Sequence, residues 1–196
     1  ALNEALEGYS VSPEIIVAIL QVESNLGVYH GRYPLLGVFV SLTLLNSEQL
    51  EEVVPDFWLE VLPEDSLDCP ENREIVQRRM SRKANWAYQE LQALMKLASD
   101  DYMDPLQTKG SWAGAFGFPQ FLPSTLIHYG ADGSGDGKID LYNLQDAAAS
   151  IANYLEKNGY NPENPQKIKK ALWRYNHSNS YVQCVYELSE LIAAKL

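Results

Sequence analysis

Few side chains in this sequence are placed to do chemistry, and the first is an acid in apolar company. In Ala18-Ile-Leu-Gln-Val-Glu-Ser-Asn-Leu-Gly27, Glu23 follows Ile16 by seven residues and Leu20 by three, which sets it on the apolar side of a helix. Burial disfavours the charged form of a carboxyl group, so an acid placed there keeps its proton closer to neutral pH and suits general-acid work. A plainer alternative stays open, in which Glu23 at the helix end snorkels outward or pairs with Arg32.

A second segment, Lys109-Gly-Ser-Trp-Ala-Gly-Ala-Phe-Gly-Phe-Pro-Gln-Phe-Leu-Pro-Ser124, mixes small residues with aromatic ones. Its glycines, alanines and Ser111 let the backbone come close to a neighbour or a ligand. Trp112, Phe116, Phe118 and Phe121 offer flat faces of the kind that stack on sugar rings, and Gln120 has both donor and acceptor capacity. Packing alone also accounts for such a segment. A third stretch, Trp173 to Tyr181, places Tyr175 and Asn176 at a helix end, where a buried tyrosine ordinarily just finds a partner for its hydroxyl.

The fourth stretch runs from Asp132 to Asp146. Asp132, Ser134 and Asp136 alternate oxygen ligands, Gly137 permits a sharp turn, Lys138 takes the place of the main-chain carbonyl ligand, and Ile139 stands where an EF-hand loop has its apolar residue. The usual closing position is Asn143, which cannot give a bidentate carboxylate; Asp146, three residues later, closes a loop of fifteen. The pattern points to calcium, with an acidic turn that binds nothing as the alternative. His30, His128 and His177 share no zinc-ligand spacing. Neither a Gly-x-Ser-x-Gly nucleophile motif nor a phosphate-binding glycine loop occurs.

The elements that must position these residues are helices. Ser12-Pro13-Glu14 reads as a helix start, with Ser12 as N-cap and Pro13 in the first turn, and Gly27 as the close. Apolar periodicity predicts helices over Pro13 to about Asn25, Leu35 to about Leu45, Arg79 to about Ser99, Leu144 to Glu156, Pro165 to Tyr175, and Ser180 to the end. Pro123 ends the aromatic segment before a further helix. Lys138 to Leu141 is the only strand candidate. The class is mainly α with a very small β element.

One segment, 47–76, breaks the pattern as an acidic excursion. Between Ser47 and Glu74 it carries ten acidic residues against Arg73 alone, three prolines, and Phe57, Trp58 and Leu59. It reads either as a solvated surface excursion anchored by Trp58 or as a wall of a substrate groove.

The chain of 196 residues reads as a single domain over 1–196, long enough to bury about 70% of its unfolded surface. Its net charge of −11 excludes nucleic acid as a partner, since phosphate neutralisation needs Lys and Arg. No apolar run approaches the roughly 20 residues of a membrane span. The first residue is Ala, so a leader or anchor lies outside this chain if there is one. Cys184, spaced from Tyr181 and Leu188 at helical intervals, suits a buried thiol, and whether Cys69 and Cys184 form a bridge stays open.

Taken together, "SPEIIVAILQVES", "DPLQTKGSWAGAFGFPQFLPS", "DGSGDGKIDLYNLQDAAASIANYLEKNGY" and "RYNHSNSY" resemble, in this order, the membrane-bound lytic transglycosylase B family of peptidoglycan-cleaving enzymes. The resemblance implies a lysozyme-like α domain with an EF-hand-like loop over 132–146, holding structural Ca2+. It implies that Glu23 is the catalytic acid, that Ser111 and Gln120 bind the sugar N-acetyl and hydroxyl groups, and that Tyr154 and Tyr175, with Asn176 beside them, hold the reacting sugar. Glycan strands of peptidoglycan are then the partner, the periplasm, cell envelope or exterior the location, a monomer the state, and 1,6-anhydromuramyl ends the product. A muramidase that hydrolyses the same bond, and a glycan- or calcium-binding module without activity, are the alternatives. Because ordinary glycan strands are anionic, the acidic chain further suggests a preference for deacetylated glycan.

Overall fold

Helical periodicity becomes eight helices among the described residues, which are 2–46 and 70–195 of the computed structural model. In chain order they are α1 (Leu2–Ala5), α2 (Pro13–Ser24), α3 (Leu35–Thr43), α4 (Pro70–Ser99), α5 (Pro123–Tyr129), α6 (Leu144–Lys157), α7 (Pro165–Tyr175) and α8 (Asn179–Ala193). The mainly α class expected from the sequence is what the chain adopts. Strands β1 (Tyr33–Pro34) and β2 (Lys109–Gly110) pair antiparallel, with Tyr33 opposite Gly110 and Pro34 opposite Lys109.

That is not the strand the sequence suggested. Lys138 to Leu141 is irregular. Its alternation arises because Leu141 is buried in the core while the Asp140 N–H is held by Asp146 at 2.9 Å. At β1 and β2 the two chains meet where both carry glycine. Gly31 has φ +87, and a Cβ on it would fall 2.0 Å from the Gly110 carbonyl carbon.

Two apolar clusters form the core. The first joins α2, α6, α7 and α8 through Ile16, Ile19, Leu20, Ile151, Leu155, Leu172 and Val185. The second joins α3 and α4 to the segment after β2 through Leu35, Phe39, Leu94, Phe116 and Phe121. Tyr154 and Tyr175 pack against both clusters, so they stand at the seam.

Helix α4 starts nine residues before the Arg79 expected, so residues 70–76 of the acidic excursion belong to its first turns. This polar end carries no apolar period and is supported instead by an Arg78–Glu74 pair one turn apart. The rest of the excursion, with Trp58 and Cys69, lies outside the described residues. Cys184 is a free, exposed thiol and not the buried one expected. The buried stripe of α8 is Tyr181, Val182, Val185 and Ser189, and Cys184 falls one position off it.

Candidate active site

Helix α2 presents Glu23 one residue from its end. Pro13 opens the helix as expected, although the Ser12 side chain makes no capping bond. The close is tighter than the sequence suggested. Asn25 and Leu26 both adopt left-handed backbone before Gly27 does, with φ of 51° and 54°. The helix-end bonds Asn25 N–H to Gln21 O and Leu26 N–H to Leu20 O hold this turn. Glu23 is therefore fixed at the rim of a buried row that includes Ile16, Ile19 and Leu20.

Burial pushes the Glu23 carboxyl up from 4.5 to about 7; a hydrogen-bonding interaction with the Tyr181 hydroxyl acts in the opposite sense and loses. Among the described residues no other carboxylate contributes to the shift and Glu23 forms no ion pair with Arg32. The Tyr181 oxygen is buried and has no partner in full hydrogen-bond geometry. A stranded buried donor costs about 1–3 kcal/mol, and Tyr181 is the neighbour that can donate to Glu23 once the carboxyl has lost its proton. Tyr181 is a candidate site residue that sequence reasoning missed. Its signal was its place in the first turn of the helix that follows Tyr175 and Asn176.

Around this pair stands a wall of aromatic rings. Tyr175 lies parallel to Tyr181 at 6.3 Å between centroids and meets Tyr154 edge-on at 5.0 Å. Phe121 touches both, at 5.8 Å from Tyr175 and 5.9 Å from Tyr154. Burial pushes the Tyr154 hydroxyl up to about 12 and the Tyr175 hydroxyl well above its ordinary value. Both donate to main-chain carbonyls, Tyr154 to Arg174 and Tyr175 to Pro119, each at 2.6 Å. Their protons are thus committed inside the protein, and what they offer a ligand is ring surface and an oxygen lone pair. Asn176 is exposed at the end of α7, beside Tyr175.

The segment after β2 forms two tight turns. Ser111 Oγ accepts the Ala113 and Ala115 N–H groups at 3.2 and 3.1 Å, so its own hydrogen remains free to donate outward. Gly114 has φ +86, and a Cβ there would lie 2.2 Å from Cζ of the fully buried Phe39. In the second turn Gln120 adopts φ +50 and its Nε2 donates to Gly117 O at 2.8 Å, which leaves its side-chain oxygen unused. Phe116 and Phe121 close the turn by exchanging both main-chain bonds. Trp112 projects into solvent, 73% exposed. His30 stacks on Phe118 and meets Tyr142 edge-on, tying the loop after α2 to this segment. Glu23, Tyr154 and Tyr175 come together at the seam, and Pro119 links them to the Gln120 turn.

The Asp132–Asp146 loop is a separate feature. Asp146, 1% exposed, accepts the N–H groups of Gly133, Ser134 and Asp140. Asp132 accepts those of Gly137 and Gly135, and the Gly137 bond is the main reason its carboxyl sits below the usual range. Ser134 Oγ donates to Asp132 at 3.2 Å, and the Asp136 carboxylate accepts the Lys138 N–H. These are oxygen donors of the kind a hard divalent cation takes. They are turned onto main-chain N–H groups, and among the described residues no three acidic, His or Cys side chains gather as a metal cage.

Three comparisons bear on this geometry. The family described as "Transglycosylase SLT domain" matches residues 1–172. A protein named "Membrane-bound lytic murein transglycosylase B", from Escherichia coli strain K12, is 34% identical over 160 residues, which is 82% of this chain. The chain spans 35% of that relative's length. Among solved structures, the Escherichia coli lytic transglycosylase SLT35 in complex with bulgecin A superposes with a TM-score of 0.74 at 25% identity, covering 99% of this chain and 69% of that one. The same SLT35 in complex with calcium gives 0.74 at 25%, covering 99% and 70%. The soluble lytic transglycosylase SltB1 from Pseudomonas aeruginosa shares the fold, with a TM-score of 0.73 at 24% identity and coverage of 99% and 74%.

Proposed function

Since the chain belongs to the transglycosylase SLT domain family, we propose that it cleaves the β-1,4 bond between N-acetylmuramic acid and N-acetylglucosamine in peptidoglycan, with Glu23 as its single catalytic acid and base. The observation that carries this reading is the Glu23 carboxyl, raised to about 7 by burial and influenced by no second carboxylate among the described residues. Breaking a glycosidic bond requires a proton on the departing oxygen while positive charge builds at the anomeric carbon. Protonated Glu23 gives that proton, and the C1–O bond breaks.

With no second carboxylate beside Glu23 among the described residues, the N-acetyl group of the muramic acid shields the anomeric carbon. Glu23, now ionised and facing the Tyr181 hydroxyl, takes the proton of the same sugar's 6-hydroxyl. That oxygen bonds to C1, the product is a 1,6-anhydro end, and the acid is restored without water. Ser111 donates its free hydrogen to the N-acetyl carbonyl, the Gln120 side-chain oxygen accepts from a sugar hydroxyl, and Asn176 offers its exposed amide at the same edge. Tyr154 and Tyr175 act as the wall that orients the sugar and excludes water.

Glu23→Gln tests this: it folds, yet releases no soluble muropeptides from purified sacculi. Mass spectrometry of the wild-type products separates the two outcomes of the same scaffold. Anhydro ends, one water lighter than reducing ends, support the transglycosylase, and reducing ends identify a muramidase, an activity also named for a solved relative. Binding to sacculi without turnover would reduce the chain to a glycan-binding module.

The substrate fixes the place of action as the cell envelope; no helix among the described residues is long and apolar enough to cross a membrane. Calcium would be held by Asp132, Ser134, Asp136, the Lys138 carbonyl and Asp146, as a structural ion that fixes the loop between α5 and α6. The net charge of −11 gains nothing from anionic glycan. Sacculi deacetylated on glucosamine, which carry glucosammonium groups and keep the muramic acid N-acetyl group, are therefore cleaved faster at low salt, and equal rates on both substrates would dispose of that preference.

A further inference from the structure

Two carboxylates are buried among the described residues, Asp146 in its loop and Glu90 on α4, and Glu90 has no task in the function proposed above. Glu90 is 4% exposed and stands in the row Ala84, Ala87, Leu94 and Leu97 that α4 turns to the core. Carboxylates are rarely buried without a partner of opposite charge, and Glu90 has no ion pair among the described residues. What it has is one residue held twice. Its Oε2 accepts the Ser124 N–H at 3.0 Å and its Oε1 accepts the Ser124 hydroxyl at 2.7 Å.

Ser124 lies at the one point where the second turn needs an anchor. Leu122, the N-cap residue of α5, has no side-chain acceptor to offer, and Pro123 has no N–H, so Ser124 carries the first free donor of the helix. Three residues earlier Phe121 closes the turn 117–120, in which Gln120 is held in left-handed backbone, a strained state for a residue with a Cβ. The tip of the same turn is fixed from the other cluster by the Tyr175 hydroxyl on Pro119 O. The turn therefore has three anchors, Tyr175 at its tip, the Leu141 carbonyl on the Phe118 N–H within it, and Glu90 at its stem, the one next to Gln120 on the C-terminal side.

We propose that Glu90 is a positioning residue for the glycan site: by clamping Ser124 it holds the turn 117–120 so that Gln120 faces the substrate. This rests on the function proposed above. A purely structural role is the alternative: either role costs E90L some stability, because the Ser124 donors lose their acceptor, and the two separate on whether glycan affinity falls while the variant remains fully folded. A leucine in place of Glu90 fits the apolar row but cannot hold Ser124. A glutamine there keeps both bonds, its oxygen accepting from the Ser124 N–H and its amide donating to the hydroxyl.

The test uses soluble, uncross-linked glycan strands. Their affinity is measured for the Glu23→Gln protein alone and with E90L or E90Q added to it, and turnover is measured with the same two changes in the active protein. E90L is expected to weaken binding about tenfold, the worth of one positioned hydrogen bond, and to raise KM alike while kcat holds; the stranded Ser124 donors lower its unfolding midpoint, and it stays folded at the assay temperature. E90Q restores affinity and KM. Unchanged affinity in E90L, a parallel loss of affinity in E90Q, or a loss in E90L that tracks unfolding would overturn the proposal. If the wild type cleaves glycan and Glu23→Gln does not, such a result counts against Glu90 alone; if the wild type neither binds nor cleaves glycan, the function itself fails.

Discussion

Replacing Glu23 with glutamine removes a titration that should be visible in stability as well as in activity. Glutamine is the nearest neutral mimic of the protonated acid, so the variant has the fold of the protein with its proton fixed. The carboxyl rises from 4.5 to about 7 on folding; at about 1.4 kcal/mol for each pH unit between the two, ionisation costs the folded state about 3 kcal/mol. Below pH 4.5 the acid is protonated in both the folded and the unfolded chain, and the stability is present in full. As the pH climbs from there, the unfolded chain loses its proton first and stability falls, levelling off once the folded group has ionised above about 7. Urea unfolding of both proteins across this range isolates the effect, because every other group titrates in both and cancels in the difference. The variant should match the wild type at about pH 4 and exceed it by up to about 3 kcal/mol at about pH 8. A difference that stays flat across that range would mean that the Glu23 carboxyl is solvated and ionised at neutral pH, and the case for it as an acid would be lost.

Other outcomes test the neighbours. The Tyr181 hydroxyl lowers the Glu23 pKa, so Tyr181→Phe should move the alkaline limb of kcat/KM to higher pH by about half a unit to one unit; a move to lower pH would contradict the assignment. Asp146→Ala strands the N–H groups of Gly133, Ser134 and Asp140 and should cost at least about 2 kcal/mol in urea unfolding. If calcium binds this loop through Asp146, added calcium raises the unfolding temperature of the wild type and not that of the variant, and equal shifts in both would remove Asp146 from the ligand set. Gly114→Ala forces a side chain into left-handed backbone and against the Phe39 ring, and should destabilise by about 2–4 kcal/mol; a loss below about 0.5 kcal/mol would mean that the Ser111 turn yields easily.

What the sequence made legible was whatever one helix repeats. Ile15, Ile16, Ile19 and Leu20 mark α2 because each is buried on the same side, and α7 runs over the residues its periodicity predicted. The unusual place of Glu23 could be read for the same reason: an acid beside such a row departs from a pattern. The features that escaped have no period. The strands β1 and β2 are two residues each and exist because Gly31 lets the chain approach Gly110. The Ile139–Leu141 alternation imitates a strand because Asp146 folds that segment over the core. Cys184 looked buried because Tyr181 and Leu188 are spaced around it, yet one helical position separates it from the row that is buried. Glu90 carried no signal in the sequence and Tyr181 only its place just after Tyr175 and Asn176, since each acts on a residue more than thirty positions away, Tyr181 on Glu23 and Glu90 on Ser124.

The seam between the two clusters explains why such distant residues meet. Glu23 stands on α2, whose apolar row belongs to the cluster of α2, α6, α7 and α8, while Phe116 and Phe121, which bracket the Gln120 turn, belong to the cluster of α3 and α4 and Phe118 within that turn packs on the first. Two packed bodies can rock against each other, and a misplacement of about 1 Å between an acid and its substrate can cost a hundredfold in rate. Tyr154 and Tyr175 are packed into both clusters, and their hydroxyls are fastened to main-chain carbonyls on neighbouring segments. Donors that could have touched sugar are instead used to lock the wall. Tyr175 is the more telling of the two, because its bond to Pro119 O is a direct hydrogen-bonded tie from the Glu23 side to the Gln120 turn, beside the packing of Phe118. Tyr175→Phe keeps the ring and removes only that tie. It should therefore leave the Glu23 titration in stability nearly where it was, yet lower kcat/KM by about tenfold, the worth of one lost hydrogen bond. Full activity in this variant would show that packing alone holds the two halves in register.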